Sequence, residues 1–218
     1  MQQSTPTIFN IKSTNDFEKS AFDAFYYQLA NNSVYQKYVE LFKIDVDSIK
    51  HSSQIPCLPV EFFKSHRICT TAREEIIFTS SGTSGAITSK HYVSKLNLYI
   101  ESFTKGFAHF YGDIKEYCVL ALLPSYLERN GSSLVLMAED LIKESKHPES
   151  NFYLHNLDEL VEVLSKLKAT NQKTILLGVS YALLDLAEKG IILSDNIIVM
   201  ETGGMKGKRR EMIKEELH

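Results

Sequence analysis

The chain has 218 residues, of which 44% are hydrophobic and 23% charged, a balance that lets a soluble chain build a buried core. Its formal net charge of -3 is spread without blocks, which leaves no basic face for nucleic acid. No apolar run approaches the ~20 residues of a membrane-spanning helix, and the three cysteines, Cys57, Cys69 and Cys118, have neither disulfide-framework nor metal-ligand spacing, as expected of a cytoplasmic protein without a structural metal.

The first 54 residues read as a helical segment. Thr14 or Asn15 can cap a helix in which Phe17, Ala21, Phe22, Phe25, Tyr26 and Leu29 recur at helical spacing. After Asn31-Asn32 a second amphipathic run carries Val34, Tyr35, Tyr38, Leu41 and Phe42, and both sets of aromatics are expected to pack. Pro56 and Pro59 then hold the chain extended, which suits a segment feeding a sheet.

From there short apolar runs alternate with helical patterns. The runs are 76–78, 117–123, 152–154, 174–178 and 197–200; helices are expected over 95–111, 132–144, 156–169 and 181–189. Continuous apolar strands separated by helices predict an α/β domain with a parallel or mixed sheet covered by helices. One domain is expected, with 55–218 as its core. Ligands in such sheets sit at the carboxyl ends of the strands, which directs attention to the loops after Phe78, Leu123, Gly178 and Met200.

The first of those loops carries the most chemistry. Thr79-Ser80-Ser81-Gly82-Thr83-Ser84-Gly85 follows an apolar run directly, and Lys90-His91 closes the segment. Glycines let backbone N–H groups converge on one point, hydroxyls add donors, and a lysine adds a mobile positive charge. That combination suits a phosphate chain. A Walker loop is excluded, because its lysine directly follows the second glycine, whereas Ala86-Ile87-Thr88-Ser89 intervenes here. A serine-hydrolase elbow is excluded because Gly82-Thr83-Ser84-Gly85 is one residue short. By composition alone the loop also fits an ordinary Ser/Gly surface turn.

Four stretches resemble the adenylate-forming (acyl-activating) superfamily, and most closely its acyl-protein synthetase (LuxE-type) branch and the related phenylacetate–CoA ligases. The hydroxyl-rich loop resembles the superfamily's phosphate loop, with a longer glycine-to-lysine segment. Ile55-Pro56-Cys57-Leu58-Pro59-Val60-Glu61-Phe62-Phe63-Lys64 resembles the segment entering the core. The stretch from Leu123 to Leu134 resembles the crossing that borders the acyl pocket, and Met200 to Gly207 resembles the glycine turn beside the adenine. They occur in the family's order.

The resemblance implies an N-terminal subdomain of the adenylate-forming fold. It implies ATP and Mg²⁺ as cofactors, and a fatty or aryl carboxylic acid activated to an acyl adenylate. The acyl group would pass to a protein cysteine or to coenzyme A, with an acyl-reductase-type partner. Phosphate contacts fall to Thr79, Ser80, Ser81, Gly82, Thr83, Ser84, Gly85 and Lys90; Gly203, Gly204 and Met205 face the adenine; Tyr126, Glu128, Arg129 and His91 border the acyl pocket. No catalytic residue is assigned. Family members continue past the end of this sequence with a magnesium-holding glutamate, a ribose-binding acid, a catalytic lysine and an acyl-accepting cysteine. An incomplete catalyst, or a binding module without turnover, is therefore also expected. The basic cluster Lys206, Lys208, Arg209 and Arg210 reads as a solvated helix face balanced by Glu211, Glu215 and Glu216.

Overall fold

A computed structural model of the chain describes residues 7–80, 87–124, 131–203, 205, 208–210, 212 and 216. The chain divides into two compact units, one running through Ser102 and the other from Phe103 onward.

In the first unit, helix α1 (Thr14–Asn31) starts at Ser13, whose Oγ accepts the Asp16 N–H at 3.2 Å. The cap thus lies one residue before the expected Thr14. Asn32 ends α1 and opens α2 (Ser33–Leu41), its Oδ1 accepting the Tyr35 N–H at 3.2 Å. One buried asparagine therefore satisfies two helix ends, which fixes the corner. Phe25, Tyr35, Val39 and Ile49 form the core of this unit. The Tyr35 hydroxyl donates to the Pro56 carbonyl at 2.6 Å, fastening the proline segment beneath α2. Phe17, Tyr26, Leu41 and Phe42, expected to pack, are exposed. Helical spacing selects a face, and these four lie on its margins.

After the single-turn helix α3 (Phe62–Ser65) come strands β1 (Ile76–Thr79) and β2 (Lys90–Val93). They pair antiparallel, with Phe78 opposite His91 and Thr79 opposite Lys90. The sequence pattern places β1 in one parallel or mixed sheet with the other strands and the residues of β2 in a loop. A hairpin partner close in sequence needs a short closure and no helical crossover, so β1 takes it. Lys90-His91 hides β2 because polar residues on a narrow ribbon stay solvated.

Helix α4 (Leu96–Tyr111) crosses the boundary between the units in the chain. In the second unit, β3 (Cys118–Leu122), β4 (Asn151–Phe152), β5 (Thr174–Gly178) and β6 (Ile197–Glu201) form a parallel sheet in the order β4-β3-β5-β6. Helices α5 (Ser133–Ser145), α6 (Leu157–Ala169) and α7 (Ser180–Ala187) connect the strands. This is the α/β architecture expected from the alternating pattern. All five residues of β3 and of β5 are buried. Burying one Leu or Ile side chain contributes about 1.5–3 kcal/mol, so these two strands anchor the unit. The Cys118 thiol is 0% exposed, and burial pushes its pKa up to about 11. Strand β6 is at the sheet's edge, with Ile198 and Val199 exposed.

Candidate functional site

The hairpin fixes both ends of the hydroxyl-rich loop. Ser80 donates its N–H to the Ser89 carbonyl at 3.1 Å, and the Ser89 N–H returns to Ser80 Oγ at 3.0 Å. Eight residues therefore leave and re-enter at a closed pair. The Ser80 N–H, expected among the phosphate donors, is committed to this closure, because a strand end adjoining its partner completes the ladder before it serves a ligand. Its hydroxyl accepts from Ser89 and keeps its own hydrogen for donation. Thr79 and Lys90 are exposed at the mouth, opposite one another in the ladder. Cross-strand partners share a face, so the Thr79 hydroxyl and the Lys90 ammonium belong to the same side. Ser81, Gly82, Thr83, Ser84 and Gly85 lie outside the described residues.

His91 projects from the opposite side of β2. Its ring stacks on Phe63 at 4.6 Å between centroids, and its Nε2 is 3.4 Å from Ser89 Oγ. The two contacts tie it to α3 and to the hairpin. Tyr126, Glu128 and Arg129, its expected companions at the acyl pocket, lie outside the described residues.

The second unit gathers polar groups at the carboxyl edge of its sheet. Gly178 ends β5, and its carbonyl accepts both the N–H and the hydroxyl of Thr202, at 2.9 and 3.1 Å. Ser180, buried at the start of α7, donates its hydroxyl to Glu201 at the end of β6. Gly203 follows with φ +75, a left-handed turn in which a side chain would be strained. Met205 is buried. Gly204 lies outside the described residues. Of the expected sites at strand ends, this edge carries those after β3, β5 and β6; the hydroxyl-rich loop joins the two strands of the separate hairpin.

Two features escaped the sequence reading. Ser180 and Glu201 are 21 residues apart and meet only because β5 and β6 are neighbours. Arg209 is no solvated helix-face residue. It forks onto Asp185 of α7 and Glu188, the residue that caps α7, at 2.6 and 2.8 Å for the Glu188 oxygens. Glu188 first, and Asp185 after it, raise the guanidinium pKa above its ordinary value, and the pairing lowers that of Glu188. Acidic residues one turn apart on a predicted helix, with a downstream arginine, were the available signal. Arg210 pairs with Glu216 at 3.3 Å, and Lys206 lies outside the described residues.

Among the described residues no group of three or more His, Cys, Asp or Glu is placed to hold a metal ion, and no helix is long and apolar enough to cross a membrane. In comparison with known proteins, residues 4–217 match the family described as "Acyl-protein synthetase, LuxE". No curated protein and no solved structure matches.

Proposed function

The chain belongs to the LuxE acyl-protein synthetase family, and from that premise we propose that it binds ATP and a fatty acid for conversion to an acyl adenylate, whose acyl group passes to a protein thiol. The observation that carries this reading is the closed Ser80–Ser89 pair. It presents a glycine- and hydroxyl-rich segment from a rigid base, with the exposed ammonium of Lys90 beside that base.

In the first step a carboxylate oxygen attacks the α-phosphorus and pyrophosphate leaves. In the second, a thiolate sulfur attacks the acyl carbon and AMP leaves, the thiol proton going to solvent. The protein's part in the first step is alignment and neutralisation of charge moving onto the departing phosphates. The hydroxyls of Thr79, Ser80, Ser81, Thr83 and Ser84 donate to β- and γ-phosphate oxygens, Gly82 and Gly85 permit close approach, and Lys90 supplies the cation. The backbone at Gly203-Gly204 is assigned to the adenine. Mg²⁺ would serve as the counter-ion of the triphosphate.

Fatty-acid-dependent exchange of pyrophosphate into ATP tests this. Lys90→Ala should slow exchange by about 10²–10³, as removal of one charge-stabilising donor does elsewhere. Exchange that proceeds equally in the wild type and in Lys90→Ala overturns the loop's role.

A further inference from the structure

A second feature of the first unit lies on the Lys90 side of the hairpin. A cleft of about 460 Å³ opens between α3 and β2, and Lys64, His66, Arg67, Thr88, Lys90 and Tyr92 line it. No carboxylate lines it. We propose that this cleft is a binding site for a phosphate-bearing ligand, with Lys64 and Lys90 as its principal cations. The proposal rests on the reading of Lys90 as a phosphate-facing cation and deepens it by adding Lys64 and the walls of this cleft; a nucleotide's polyphosphate tail and the phosphates of a thiol carrier share this chemistry.

Charge balance leads to that ligand class. Arg67 is already compensated: it donates to Glu74 Oε2 at 2.6 Å and to the carbonyls of Thr71 and Ala72 at 3.1 and 3.2 Å. Its guanidinium carbon also sits 5.2 Å from the Tyr92 ring centroid. Arg67 thus forms a fixed wall of the cleft. Lys64 and Lys90 have no carboxylate partner among the described residues, and both are exposed. Two uncompensated ammonium groups facing one concavity repel each other, and a multiply charged anion removes that repulsion.

The surroundings are also arranged in advance. The His66 ring stacks on Phe62 with centroids 5.0 Å apart, and its Nδ1 is 2.8 Å from Ser65 Oγ, so its orientation is set before any ligand arrives. The hydroxyl of Thr88 adds a donor at the point where the loop returns to β2. Two ammonium groups with a hydroxyl match several oxygens of a phosphate chain, and the volume exceeds the needs of a lone carboxylate.

Calorimetry with inorganic pyrophosphate tests the assignment in the full chain. The wild type should bind saturably and more weakly as salt rises. Lys64→Gln should bind about tenfold or more weakly, the effect of removing one charge-assisted hydrogen bond. Lys37→Gln, a lysine of α2 away from the cleft, should bind like the wild type, and circular dichroism should show all three folded. Displacement of pyrophosphate by ATP assigns the cleft to the nucleotide. Displacement by coenzyme A but not by its dephospho form assigns it to a carrier. No saturable binding, equal affinity in Lys64→Gln, or displacement by neither ligand overturns the proposal. Because pyrophosphate binding needs no turnover, it separates this inference from a failure of the exchange assay.

Discussion

Replacing Gly178 by alanine tests how tightly the carboxyl edge of the parallel sheet is built. A Cβ there would lie 2.9 Å from Leu183 Cγ, 3.0 Å from Leu183 Cδ2 and 3.1 Å from Leu122 Cβ. Leu183 can shift on α7, but Leu122 Cβ is fixed to the backbone of β3. Two effects compete. Removing a glycine stiffens the unfolded chain and stabilises by about 0.4–1 kcal/mol, whereas forcing a methyl into a packed site costs about 1–3 kcal/mol. Overpacking wins, giving a net loss of roughly 1–2 kcal/mol. For a chain of this size that lowers Tm by about 2–8 °C. Thermal unfolding followed by circular dichroism measures it, and Leu183→Ala supplies the control. In the Leu183→Ala background the same alanine should cost distinctly less, because two of the three close contacts vanish, although the one to Leu122 remains. Strict additivity of the two substitutions would refute the argument from Leu183.

Other outcomes follow from the same structure. Burial should protect Cys118 from iodoacetamide near pH 8 until the chain unfolds, while exposed Cys57 is modified in the native state; peptide mass analysis reads both. At Cys69 burial pushes the thiol up, but hydrogen bonds with Ser94 and Thr71 and the nearby Arg67 charge bring it below its ordinary value. Ser94→Ala should therefore shift the pH midpoint of Cys69 alkylation upward, and an unchanged midpoint would dismiss the hydroxyl's role. Glu18 accepts from the Ser52 hydroxyl at 2.7 Å and from its N–H at 2.9 Å, and these bonds hold its carboxyl below the usual range. A depressed carboxyl stabilises above its unfolded pKa and loses that effect as pH falls. Glu18→Gln should thus be less stable than wild type at pH 7, with the gap closing below about pH 4.5. Arg209→Gln should speed hydrogen exchange in α7 with little change in Tm, because Glu188 is largely solvated and Asp185 only partly buried. A Tm loss as large as that of Gly178→Ala would contradict this.

The second unit was legible because its elements are defined by local pattern. Period-3.6 runs located α4 through α7 to within two residues at each end, and the uninterrupted apolar stretches of β3 and β5 announced burial on both faces. The antiparallel hairpin was not legible, because Lys90 and His91 carry no apolar alternation and pairing is decided by proximity along the chain. Similar reasons hid the functional geometry. The composition of the hydroxyl-rich loop was visible, but the use of the Ser80 N–H in closing the hairpin depends on where Ser89 returns. Lys64, His66 and Arg67 come together with Lys90 only when α3 folds beside β2.

A turn whose two stems are stitched to each other is insulated from the ribbon it joins. The Ser80–Ser89 stitch sets the alignment of Thr79 with Lys90 whatever number of residues is strung between them. Lengthening that intervening stretch adds slack at the tip and leaves the strands in step. Substitutions between the two stems therefore leave Thr79 facing Lys90.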